Sequence, residues 1–232
     1  GSRLIRTVQT AHSSTRPLLQ RIGVLGAAGA VAVTGFGFGA DAIGLGTAPV
    51  AAAEASGTQS PSYVAIDQFQ GQPTQDADCG PTSAVIAMLA EGYQPQGYDQ
   101  GPRAAIETAR GQTGLASGPT VEAHMVSILD AQGVPATADT DFTGALDEVR
   151  DGKSAIITGY MDALPYVYDY RAAQGVNPHI VHAVVITDYD SADGTFRILD
   201  PNTGVDERAT AGQLETFQGS LSPAEQHQTV VG

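Results

Sequence analysis

The sequence has one cysteine, one lysine and no tryptophan among its 232 residues. A single thiol excludes any intramolecular disulfide, so the fold has to be held by its core alone. Basic side chains are also scarce: 11 Lys and Arg stand against 25 Asp and Glu, for a net charge of −14. That balance argues against a nucleic-acid partner, which needs clustered Lys and Arg to displace phosphate counterions. The shortage lies past residue 55. Residues 1–55 carry Arg3, Arg6, Arg16 and Arg21 against Asp41 and Glu54, whereas residues 56–232 carry seven Lys and Arg against 23 Asp and Glu. Such an acidic surface favours solubility without naming a substrate. The glycine-rich "GFGFG" precedes no P-loop lysine, so no phosphate cradle is expected. His179 and His182 lack a second ligand cluster at suitable spacing, so neither a metal nor a cofactor is expected.

Long uncharged runs are rare too. The one present, Ile22 to Ala40, follows a basic stretch ending at Arg21 and precedes the small-residue "AAAEA". Basic, apolar and small-residue regions in that order describe a secretory signal, with cleavage points after Ala53 or Ala55. A retained membrane anchor is the alternative, although the run is 19 residues long and includes six glycines. The protein is therefore expected to be secreted or held in the cell envelope, touching a membrane only through this leader. The expected organisation is a leader over residues 1–55, a linker over 56–62, one domain over 63–222 and a polar tail over 223–232.

From Tyr63 onward the pattern is α+β. "PTSAVIAMLAEG" places Val85, Ile86, Met88 and Leu89 together and stops at Gly92, which predicts a buried helix. "TVEAHMVSILDAQG" and "FTGALDEVRDGK" predict two more. Strands follow: "SAIITGY", then "HAVVITDYD" and "TFRILD" joined by "SADG", a hairpin with Asp193-Gly194 at its turn. Helices first and an antiparallel sheet second predict a single α+β domain.

The lone cysteine, Cys79, stands just before Gly80 and Pro81 at the start of the first helix. Proline favours the opening of a helix, and a sulfur there feels unpaired N–H groups and the positive end of the dipole. Gly80 leaves room for close approach of a substrate. Asp76 and Asp78 oppose thiolate formation unless they point to solvent, so a histidine partner is required. His12 belongs to the leader, His227 to the tail, and His124 sits on a helix. His179 and His182 flank "IV" where the main strand begins. Pairing across the hairpin would bring His182 near Asp200, which ends the neighbouring strand before Pro201. A carboxylate there would orient the imidazole, with Asn202 as the alternative.

"DCGPTSAVIAML", "GKSAIITG", "HAVVITDYD" and "FRILDP" together resemble the papain-like cysteine peptidases of the bacteriocin leader-processing (double-glycine) branch. The resemblance covers approximately residues 62–220. It implies a papain-like fold and an acyl-enzyme mechanism on peptide or protein substrates. Cys79 would be nucleophile, His182 base and Asp200 orienter. The family also places a Gln about six positions before the Cys to hold the oxyanion. Position 73 here is proline, so Gln72 is favoured, then Gln75, with Gln70 also nearby. "ITDYD" stands where many relatives carry a glycine. The tyrosine-rich segment from Tyr160 to Tyr170 is either a self-packed surface loop or a wall of the substrate cleft, with Tyr160 and Gly80 the expected substrate contacts. Two other activities remain open: acyl transfer or a transglutaminase-like reaction from the same site, and a secreted binding module that keeps the fold without turnover.

Overall fold

The computed structural model of the chain describes residues 65–138, 141–166, 179–202 and 204–232. The expected leader and linker lie outside the described residues, as do Tyr168 and Tyr170. Among the described residues no helix is long and apolar enough to cross a membrane.

Helix α1, Cys79–Ala90, is buried from Gly80 through Met88 and is the central helix of the domain. Its sequence carries no charge, which suits a helix surrounded on all sides. Ile86 and Met88 are fully buried and each contributes roughly 2 kcal/mol by leaving water. Gly92, at φ 78°, ends the helix in the left-handed region, with the Tyr93 N–H turning back to the Met88 carbonyl at 2.8 Å. Helix α2, Pro102–Gln112, starts on a proline, and α3, Glu122–Ala131, packs Met125, Ile128 and Leu129 inward. Helix α4, Phe142–Arg150, is capped by Asp141, which accepts from the Gly144 N–H at 2.9 Å. The last helix, α5, Ala211–Gln218, opens on a Thr210–Gln213 capping box.

Among the described residues six strands form one sheet: β1 (Ala136–Thr137), β2 (Ser154–Tyr160), β3 (Val181–Asp190), β4 (Thr195–Asp200), β5 (Val205–Thr210) and β6 (Gln228–Val231). Their order is β1-β6-β2-β3-β4-β5, and every neighbour pair is antiparallel. Strand alternation divides the core in two. Ile156, Ala183, Val185, Leu199 and Val231 meet α1, α2 and α3. Ala155, Ile157, Val184, Ile186, Phe196 and Ile198 meet α4 and α5 on the opposite face.

The hairpin expected between "HAVVITDYD" and "TFRILD" is β3–β4, with Gly194 at φ 72° in its connection. The expectation of a polar tail over 223–232 is corrected. Residues 228–231 form the fully buried strand β6, inserted between β1 and β2. Two helices (α2, α5) and three strands (β1, β5, β6) add to the expected elements. Helix α2 presents only Ala105, Ile106 and Ala109 as buried apolar side chains, too weak a stripe to read from periodicity.

One irregularity positions the site. The β3–β4 register runs from Val185↔Leu199 to Asp190↔Thr195, whereas β3 pairs with β2 as far as Tyr160↔Val181. Residues 181–184 therefore leave their β4 side open, and α1 fills the gap. Ser83 Oγ donates to the Ala183 carbonyl at 3.1 Å across it.

Candidate active site

The half-buried Cys79 is the first residue of α1, with Asp78 at the N-cap position. Pro81 is thus the third helical residue rather than the first, still within the turn whose N–H groups lack helical partners. The sulfur receives the His182 imidazole and the backbone N–H groups of Ala183 and Gly80. Burial is the largest single influence on the thiol and pushes it up. The hydrogen bond and charge of His182, with the two N–H groups, outweigh burial and hold Cys79 below the ordinary thiol value.

His182 opens β3 and is buried. Its Nε2 lies 2.6 Å from Asp200 Oδ1 at the end of β4, which leaves Nδ1 for the sulfur. Burial alone would depress the imidazole, but the charge of Asp200 and its hydrogen bond, followed by the contact with Cys79, push it up to about 9. Asp200 is held from two further directions. Its Oδ1 accepts from the Asn202 N–H at 2.7 Å, and its Oδ2 accepts from the Tyr166 hydroxyl at 3.2 Å. Asn202 therefore supports the carboxylate through its backbone, while Asp200 itself contacts the ring. Burial, then the Asp200 charge, raises the Tyr166 phenol well above its ordinary value, so it stays a donor. Sequence reasoning noticed the tyrosine cluster but gave Tyr166 no role.

His179 takes a different position. It precedes β3, stacks on Tyr160 with ring centroids 4.2 Å apart, and pairs with Asp162 at 2.9 Å. Tyr160, offered as a substrate contact, thus carries His179 against it at the outer end of β2. His124 serves α3 locally, its Nδ1 accepting from the Val121 N–H at 3.0 Å. His227, placed by sequence in a tail, lies 3.3 Å from Glu122 at the start of β6. Among the described residues no group of three or more His, Cys, Asp or Glu is arranged to hold a metal ion.

Two expectations about the segment before Cys79 are corrected. Asp78 neither points to solvent nor faces the thiol uncompensated. It is fully buried, and its Oδ1 accepts from Arg110 Nε at 2.7 Å. Its Oδ2 accepts from Gln72 Nε2 and Thr74 Oγ1, each at 2.8 Å. Arg110, on α2 and equally enclosed, also donates to the carbonyls of Ala77 and Gly118. Removing one partner from such a buried pair costs about 3–5 kcal/mol, because the other charge is stranded. The second correction concerns the oxyanion. Gln72 spends its amide nitrogen on Asp78 and on the Gln68 carbonyl, the latter at 2.8 Å, so it has no donor left to turn toward a substrate. Gln75 accepts the Gly71 N–H at 2.9 Å through its oxygen, and Gln70 donates to the Asp67 carbonyl at 2.7 Å. Gly80 leaves room for a neighbour: a Cβ there would lie 2.0 Å from Thr120 Oγ1. Gln68, unremarked in the sequence, ties this segment to the acid loop, its N–H donating to the Pro201 carbonyl at 2.8 Å.

No protein-family model matches the chain, and no curated protein sequence matches it. Solved structures do. A candidate C39-like peptidase from Bacillus anthracis superposes with a TM-score of 0.50 at 14% identity, covering 74% of this chain and 96% of that one. The peptidase domain of Streptococcus ComA, a bifunctional ABC transporter of a quorum-sensing pathway, matches at 15% identity over 73% of this chain and 98% of that one. Its TM-score of 0.46 is too low to add weight. The chain therefore has the papain-like α+β fold found among C39-like peptidases.

Proposed function

We propose that the protein is a cysteine peptidase that cleaves amide bonds of peptide or protein substrates through Cys79, His182 and Asp200. The observation that carries this reading is the contact chain itself: a sulfur at a helix N-terminus, an imidazole against it, and a buried carboxylate 2.6 Å from the far ring nitrogen. The Cys79 proton moves to His182 Nδ1, and the thiolate attacks the substrate carbonyl carbon. A C–S bond forms while the carbonyl π pair moves onto oxygen, where the Cys79 N–H at the start of α1 favours the negative charge. Gln75 replaces Gln72 as the side chain assigned to assist it. Collapse breaks the C–N bond, and the imidazolium passes its proton to the leaving amine. Water, deprotonated by His182, then releases the acyl group and restores the thiol.

A series of quenched fluorescent peptides incubated with the full chain tests the reading. Cys79→Ala is expected to lose cleavage by at least about a thousandfold while keeping the circular dichroism spectrum, since members of such a unit act together. Undiminished cleavage by that variant would overturn the assignment.

A further inference from the structure

Asp78 occupies the position from which an aspartate normally folds back over a helix to accept its N–H groups. Here it makes no such cap. The candidates for that bond are the N–H groups of the second and third helical residues, Gly80 and Pro81. Pro81 has no N–H, and the Gly80 N–H is directed at the Cys79 sulfur. Carboxylate and thiolate thus compete for one donor. The carboxylate is kept out of the competition by Arg110, Gln72 and Thr74, which together engage both of its oxygens. Arg110 fixes the surrounding backbone as well. It binds the carbonyls of Ala77 and Gly118, and the latter lies just before Thr120, which fills the notch at Gly80.

We propose that Arg110 is a positioning residue for the Cys79 thiolate: it neutralises Asp78 and holds that carboxylate off the α1 N-terminus, reserving the Gly80 N–H for the sulfur. This rests on Cys79 being the nucleophile. The charged and titratable groups next to the thiol are His182 from β3 with Asp200 behind it, Asp78 at its own N-cap, exposed Asp76 in the preceding turn and Arg110 from α2; α3, which packs on α1, carries Glu122 paired with His227. Asp78 and Arg110 carry opposite charges and sit at the residue adjoining the sulfur. Removing either one therefore moves the thiolate in a direction that a simple loss of packing does not produce.

The test is the pH dependence of Cys79 alkylation by iodoacetamide in the full chain, read by intact mass. Arg110→Met is expected to raise the midpoint by about one pH unit, roughly a tenfold loss of rate at fixed pH on the acid limb. Asp78→Asn, which leaves the guanidinium unopposed, is expected to lower it. The double variant Asp78→Asn/Arg110→Met is expected to return toward wild type. Midpoints that stay put, or that move the same way in both single variants, would overturn the proposal even if melting temperatures fall. Should Arg110→Met fail to fold, Asp78→Asn decides alone: a lowered midpoint supports the proposal, and an unchanged or raised one refutes it. Alkylation reads the thiolate whether or not peptides are cut, so failure of the peptidase reading is seen separately, as absent cleavage by the wild type.

Discussion

His182 and His179 stand close together in sequence, and each has an aspartate at ion-pair distance, 2.6 Å for His182–Asp200 and 2.9 Å for His179–Asp162. Distance barely separates the two pairs; enclosure does. The side chains of His182 and Asp200 are 2% and 1% exposed, whereas those of His179 and Asp162 are 63% and 23% exposed. In water the outer pair gains about 1 kcal/mol or less. Inside, away from bulk solvent, the same juxtaposition lifts the ring to about 9 and places it against a sulfur. Enclosure, and a sulfur as the third group, are what separate the inner histidine–carboxylate contact from the outer one.

The largest break in this comparison is His182→Ala, expected to lower kcat/KM by about a thousandfold or more, because both the proton acceptor and the counter-charge of the thiolate are lost. His179→Ala is its control. Equal damage from the two, measured on the same peptide, would move the base to the outer pair. Next in size is Asp200→Asn, expected to cost roughly ten- to a hundredfold. The amide still accepts from the ring but no longer stabilises its charge. The same variant sharpens the comparison through pH. In the wild type the alkaline limb of kcat/KM should fall near pH 9, where the His182 imidazolium loses its proton, and in Asp200→Asn it should move to lower pH. An unmoved limb would show that Asp200 does not set the ring's charge.

Stability follows the same sign. The His182 pKa is raised from an unfolded value of about 6.5 to about 9 in the fold. Its contribution is fully present below about pH 6.5 and is lost as pH rises through about 9. Urea titrations of wild type and His182→Gln should therefore converge at alkaline pH. Tyr166→Phe is expected to reduce kcat by only a few-fold, since the Asn202 N–H still holds Asp200. The smallest effect belongs to Asp162→Asn, within about twofold of wild type.

How much of this was legible before folding differs by residue. Cys79 at a helix start followed from Gly80, Pro81 and the apolar run behind them, all within one helical turn or two. The β3–β4 hairpin followed from "SADG" and its flanking β-branched runs, and its pairing is what lets His182 reach Asp200. Helix α5 and strand β6 escaped because their sequences are too mixed for periodicity to show. "QTVV" has two polar and two apolar residues, and it is buried only because β1 and β2 accept it on either side. Gln72 was misassigned for a related reason: spacing from the cysteine located it, but spacing does not reveal that Asp78 and the Gln68 carbonyl already hold its nitrogen.

The amino-acid order by itself determined where the single thiol sits, the helix that carries it, and the strand pair that offers an imidazole and a carboxylate. These rest on caps, turns and alternation, forces that act over a handful of neighbouring residues. Only the tertiary structure decided which histidine was enclosed, that Tyr166 would brace Asp200, and that Arg110 would cross from α2 to neutralise Asp78. Those choices turn on desolvation, and a side chain loses its water only when distant segments close over it.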